Sequence, residues 1–152
     1  MKKKQKPSNR ISKDEYFLKM ADVVAERSTC LRKKIGSVLV KDGMVLSTGY
    51  NGAPRGLEHC TDKNCIVENG HCARTVHSEV NAILQGAYHG VATEGATLYT
   101  QYLPCPNCSK VLINAGVKKI VFTGYYDAYD NNFTKRLLRK AKVGILEVKH
   151  EP

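Results

Sequence analysis

Residues 75–108 read TVHSEVNAILQGAYHGVATEGATLYTQYLPCPNC. Val76, Val80, Ile83, Leu84 and Ala87 recur at helical spacing, which predicts a helix from about Thr75 to Tyr88. Ala96–Gln101 reads as a strand and Tyr102-Leu103-Pro104 as a turn. Pro106 suits the first turn of another helix, with Val111, Leu112 and Ala115 inward and Gly116 as its stop. Helix, strand and helix in direct succession point to helical crossovers, and so to parallel neighbouring strands.

The flanking sequence extends that pattern. Upstream, Ser12-Lys13-Asp14-Glu15 is a capping-box signal, and Phe17, Met20, Ala21, Val24 and Ala25 continue at helical spacing to about Ser28. Ile35–Lys41 and Met44–Tyr50 flank Asp42-Gly43, a hairpin turn signal. Residues 51–72 carry Gly, Pro, Asn, Cys and His without periodicity, and a loop of over ~20 residues is normally functional. Downstream, Lys119–Thr123 is a third apolar strand, Gly124–Asn132 a tyrosine-bearing loop, Thr134–Lys142 a basic helix and Ile145–Lys149 the last strand. The order α-ββ-α-β-α-β-α-β predicts one three-layer α/β domain over residues 13–152, with a mixed five-stranded sheet behind a flexible basic tail, residues 1–12.

The chain has 152 residues, 42% of them hydrophobic and 25% charged. That describes a soluble globular domain and excludes collagenous, disordered and helical membrane-spanning classes. With no secretory signal evident, the expected location is the cytoplasm. Lys and Arg total 24 against 14 Asp and Glu, a net charge of +10. Six of the basic residues lie in residues 1–13. Taking six from 24 leaves 18 against 14, or +4, for the remaining 139 residues. A solvated terminus accounts for most of the excess, so a polyanion partner is not required.

Six cysteines without a secretory signal favour metal ligation or catalysis over disulfides. His77-Ser78-Glu79 and Pro104-Cys105-Pro106-Asn107-Cys108 both fall at expected helix starts. Residues three apart share a helix face, and the positive end of the helix favours thiolates. His77, Cys105 and Cys108 thus offer three ligands and an open fourth position, the pattern of catalytic zinc. Zinc lowers the pKa of a bound water to about 7, and Glu79, not itself a ligand, is placed to carry its proton. The H-x-E and P-C-x-x-C pair is the signature of zinc nucleobase deaminases. A closed structural zinc site is the bland alternative, and it leaves Glu79 without a role.

With these motifs the sequence resembles the zinc-dependent cytidine deaminase superfamily, and within it the deoxycytidylate deaminases. Gly49-Tyr50-Asn51-Gly52-Ala53-Pro54-Arg55-Gly56 is similar to the family's GYNGxPxG segment. Arg27-Ser28-Thr29-Cys30 followed by Ile35-Gly36-Ser37-Val38 resembles its RSxC…VGAV region. Residues Cys72–Ile83 and Ile113–Val117 also match, and the likeness covers roughly residues 13–148. Ser78 departs from it, since the family commonly has alanine there; the residue stays small, and little effect is expected.

The resemblance implies a cytidine deaminase-like α/β/α fold and hydrolysis of deoxycytidylate (dCMP) to deoxyuridylate (dUMP) and ammonia, supplying thymidylate synthesis. Glu79 would move a proton to N3 of cytosine and help the amino group leave. Asn51 would bind the nucleotide, with Arg55, Tyr125 and Tyr129 as further candidates for phosphate or base. The family's tendencies also imply a hexamer, activation by dCTP and inhibition by dTTP, with Arg27 and Arg32 as candidates for an effector phosphate. Cys60, Cys65, His71 and Cys72, with Cys30 in reserve, have spacings that a second, structural zinc could use. A tRNA adenosine deaminase and a non-catalytic zinc-binding module remain as alternatives.

Overall fold

A computed structural model describes residues 9–150. The tail residues Lys2, Lys3, Lys4 and Lys6 lie outside the described residues. In chain order the elements are α1 (Lys13–Ala25), β1 (Gly36–Lys41), β2 (Met44–Tyr50), α2 (Cys60–Lys63), β3 (Val67–Glu68), β4 (His71–Cys72), α3 (Ser78–Tyr88), β5 (Thr97–Tyr102), α4 (Pro106–Asn114), β6 (Lys119–Gly124), α5 (Asn131–Lys140) and β7 (Gly144–Glu147).

Local chemistry sets most boundaries. Ser12 Oγ accepts the Glu15 N–H at 3.1 Å and opens α1. Asp42 and Gly43 both take positive φ, 52° and 78°, as a two-residue turn matched to strand twist requires. The helix expected from Thr75 begins instead at Ser78, because Val76 pairs with Gly52 in an isolated bridge and keeps residues 75–77 extended. α5 begins three residues before the expected Thr134, since Asp130 Oδ1 accepts the Phe133 N–H at 2.9 Å and caps it. The expected structureless loop, 51–72, contains a single helical turn, α2, and the β3–β4 hairpin around Asn69-Gly70, both at positive φ. Elements of two to four residues leave no periodicity to read.

The five-stranded sheet has the order β2-β1-β5-β6-β7. β1 is antiparallel to both β2 and β5, whereas β5, β6 and β7 are parallel, joined by α4 and α5. Strand alternation divides the core in two. Val38, Val40, Tyr99 and Val121 face Phe17, Leu18 and Ala21 of α1. Leu39, Leu98, Ile120 and Phe122 face the other way, against Ala82 of α3, Leu112 of α4 and Leu138 of α5. The result is three layers, helix, sheet and helices. Two glycines set the closest approaches. A Cβ on Gly36 would stand 2.2 Å from the Ala21 carbonyl oxygen, and one on Gly49 would stand 2.3 Å from the Ser78 carbonyl oxygen and the Ala82 nitrogen. Among the described residues, no helix is long and apolar enough to cross a membrane.

Candidate active site

A cavity opens beyond the carboxyl ends of β2, β5 and β6, where open α/β sheets commonly bind ligands. Two helices start there. His77 is the N-cap of α3 and Cys105 the N-cap of α4, with Pro106 opening the first turn and Cys108 completing it. His77 Nδ1 lies 3.7 Å from Cys105 Sγ and 3.3 Å from Cys108 Sγ. All three donor atoms lie within 4.8 Å of one another. Nitrogen and sulfur ligands on one tetrahedral zinc stand about 3.6 Å apart, given bonds of about 2.05 and 2.3 Å. The donor set and spacing fit that ion.

Electrostatics agree. Cys105 accepts the Cys108 N–H at 3.4 Å. Hydrogen bonds from Cys108 and His77 outweigh its burial and bring the Cys105 thiol down to about 4, so the thiolate is favoured. The neighbouring Cys105 and burial push the Cys108 thiol up, since two thiols that share a proton cannot both ionise easily. His77 is raised, chiefly by its hydrogen bond to Cys105, against the effect of burial.

Glu79, in the first turn of α3, is 6% exposed. Burial raises its proton affinity, opposed by the charge of His77 and by a hydrogen bond that Ser78 Oγ donates to Oε2 at 3.1 Å. A carboxyl group of raised pKa, beside a metal-ligand set and lining the cavity, is equipped to exchange protons with a bound molecule.

Asn51 is buried and lines the same cavity. Its Oδ1 accepts the Ser78 N–H at 2.9 Å and its Nδ2 donates to the Lys33 carbonyl at 3.2 Å. His77 makes no side-chain capping bond. Asn51 satisfies the first amide of α3 from outside the helix, so the imidazole stays available to a metal.

The remaining expected residues divide. Tyr129 lines the cavity, with its ring stacked on His71 at 5.2 Å. Arg32 also borders it and donates to the Gly70 carbonyl at 2.8 Å, while Arg27 is exposed beyond α1 and is not among its lining residues. Arg55 lies elsewhere, donating to Gln85 Oε1 at 2.9 Å with its guanidinium over Tyr88. Tyr125 is also turned away: it packs on Phe122 and donates to Glu147. Residues not anticipated are Lys33, Tyr102 and Tyr126, which line the cavity; Lys33 Nζ sits 4.4 Å from the Tyr102 ring centroid and 5.1 Å from that of Tyr126. They come from three separate segments, and no sequence spacing links them.

A second cluster gathers Cys60, Cys65 and Cys72. Cys60 and Cys72 Sγ are 3.5 Å apart, and Thr75 Oγ1 lies 3.4 Å from Cys72 Sγ. Burial opposes the Cys72 thiolate, but hydrogen bonds from Thr75, Arg74 and Cys60 prevail and bring it down to about 6. Burial and its two thiol neighbours push Cys65 up to about 11. His71 is not part of this cluster; its Nδ1 faces the Tyr129 hydroxyl at 3.5 Å. Cys30 is likewise outside this cluster and lines the cavity.

A family model described as "Cytidine and deoxycytidylate deaminase zinc-binding region" matches residues 11–124. The chain is 39% identical over 139 residues to ComE operon protein 2 of Bacillus subtilis, covering 91% of this chain and 72% of that protein. It is 33% identical over 149 residues to deoxycytidylate deaminase of Saccharomyces cerevisiae, covering 94% of this chain and 47% of that one. Among solved structures, the dCMP deaminase of cyanophage S-TIM5 in complex with dCMP and dUMP superposes with a TM-score of 0.78 at 30% identity, covering 95% of this chain and 99% of that one.

Proposed function

The chain belongs to the cytidine and deoxycytidylate deaminase family, and on that premise we propose that it hydrolyses dCMP to dUMP and ammonia. The observation that carries this reading is the convergence of His77, Cys105 and Cys108 beside the buried carboxyl of Glu79. His77, Cys105 and Cys108 would hold a zinc ion, which would supply an acidified water there, of pKa about 7. Glu79 accepts a proton in the cavity, delivers it to N3 of the cytosine ring, and carries a second to the departing amino group. Its raised proton affinity suits both directions of transfer.

Preference for a nucleoside monophosphate is supported by two cations bordering the cavity, Arg32 and Lys33, next to Tyr102, Tyr126 and Tyr129. The tyrosines offer surfaces for the base and sugar, the cations a partner for phosphate. Asn51 holds the start of α3 and lines the same cavity, where a bound nucleotide would meet it. Arg32 is therefore assigned to the substrate phosphate. Regulation by dCTP and dTTP, through Arg27, and assembly as a hexamer rest on the family resemblance. Cys60, Cys65 and Cys72 are assigned three of the four ligands of a second, structural zinc, in keeping with their mutual spacing.

The test is turnover by the zinc-loaded protein of dCMP, deoxycytidine and a tRNA stem-loop. The expected result is dUMP from dCMP, much slower reaction of deoxycytidine and none of RNA. Lys33→Ala should lower kcat/KM for dCMP about tenfold or more, the scale of a lost charge-assisted hydrogen bond, and leave deoxycytidine unaffected. Reaction of RNA alone overturns the proposal.

A further inference from the structure

On the face of the sheet that meets α3, β1 and β5 pair Leu39 with Leu98 and then Ser37 with Thr100. All four are fully buried. Hydroxyls in such a place cost stability unless hydrogen-bonded, and these two have a partner in Ser78, itself fully buried at the start of α3. Ser37 Oγ lies 2.8 Å from Ser78 Oγ and 3.2 Å from Thr100 Oγ1. Ser78 Oγ in turn donates to Glu79 Oε2 at 3.1 Å. A file of three hydroxyls thus runs from the middle of the sheet to one oxygen of the carboxylate.

Each hydroxyl has one hydrogen to give. With the Ser78 hydrogen on Glu79, the single Ser37 hydrogen faces two acceptors, Ser78 Oγ at 2.8 Å and Thr100 Oγ1 at 3.2 Å. The shorter contact, to Ser78, places a donor on the oxygen whose own hydrogen points at Glu79. The terminal torsion of a glutamate is otherwise broad, so a fixed donor on Oε2 restricts the carboxylate plane. Ser78 is itself held at its backbone, where its N–H bonds Asn51 Oδ1 at 2.9 Å. The resemblance set out above has alanine at both serine positions, and alanine could make none of these contacts.

We propose that Ser78, oriented by Ser37, is a positioning residue that holds one carboxylate oxygen of Glu79 and leaves the other to face the reacting base; this rests on the deaminase reading above. The file acts on the orientation of Glu79 and touches neither substrate nor metal ligand atoms. Its loss lowers kcat and leaves KM and zinc content unchanged. Because Ser37 acts only through Ser78, the two serines are not independent.

Ser78→Ala, Ser37→Ala and the double variant test this in zinc-loaded protein, alongside the wild type. Ser78→Ala should lower kcat for dCMP about tenfold, or about 1.4 kcal/mol of transition-state stabilisation, with KM within about twofold. Ser37→Ala should fall less, and the double variant no further than Ser78→Ala. Crystal structures of wild type and Ser78→Ala give a readout free of substrate: one Glu79 carboxylate orientation in the wild type, more than one in the variant. Ser37→Ala carries the same structural readout if Ser78→Ala does not fold. A wild type inert to dCMP removes the deaminase reading and leaves the orientation of Glu79 to decide the role of the file. An unchanged Glu79 in the variants overturns the proposal. So does kcat retained within about twofold, or a loss in the double variant equal to the product of the single losses.

Discussion

Glu79 sits two residues after a metal-ligand candidate, buried, its carboxyl raised by that burial and partly restored by Ser78. A residue so placed can carry protons without contributing to the ligand set. Glu79→Gln keeps the shape and removes the proton acceptor, so bound zinc should be unchanged while kcat falls about a hundredfold or more. Metal analysis beside steady-state kinetics checks both halves; parallel loss of zinc and activity would make Glu79 structural instead. The places of His77, Glu79, Cys105 and Cys108 around one point were legible because both motifs sit at helix starts. Arg55 and Tyr125 were not, because a place in a loop says nothing about which way a side chain turns. Arg55 lies over Tyr88, and Tyr125 joins the core around Phe122. Ser78, expected to matter little, carries a hydroxyl with two buried contacts.

At the scale of elements, the site depends on how α3 lies against β2. Gly49 lets the first turn of α3 approach until backbone meets backbone, and this fixes the height of His77 and Glu79 above the sheet. Gly49→Ala forces the helix away, and the strain should cost about 1–3 kcal/mol or more. Thermal denaturation should show a melting temperature lower by several degrees, with zinc affinity reduced; an unchanged melting curve would mean that the contact is easily relaxed. The long strands and helices were readable from periodicity, and the turns from Asp42-Gly43 and Gly116. The inner order of residues 51–72 was not. There α2 and the β3–β4 hairpin are held by contacts distant in sequence, among them Cys60 to Cys72 and Arg32 to Gly70. On the proposed second zinc, Cys65→Ser should lower zinc from two ions per chain to one and open residues 64–72 to limited proteolysis. Two ions and an intact hairpin in that variant would remove Cys65 from the metal site.

Across the whole molecule, three layers bring separate segments to one cavity: Asn51 after β2, Glu79 on α3, Cys105 after β5 and Tyr129 after β6. The opposite layer is tied in by Asp22 of α1, which bonds His150 at 2.5 Å and Gln101 at 2.9 Å, while Gln101 accepts the Gly36 N–H. The layer order followed from the alternation of helices and strands, but the antiparallel placing of β1 beside β5 did not, since nothing local records which strand fills the gap. Charge is spread in keeping with a small anionic ligand. Arg32 and Lys33 border the cavity, whereas Arg139 and Lys140 lie exposed in the last turn of α5, where they complement the helix dipole. The most direct measurement is the fate of dCMP incubated with zinc-loaded protein in water enriched in oxygen-18, followed by mass spectrometry of the nucleotide. Hydrolytic deamination predicts dUMP with a single oxygen-18 in the base and release of an equal amount of ammonia. Unchanged dCMP, or dUMP without the label, would contradict it.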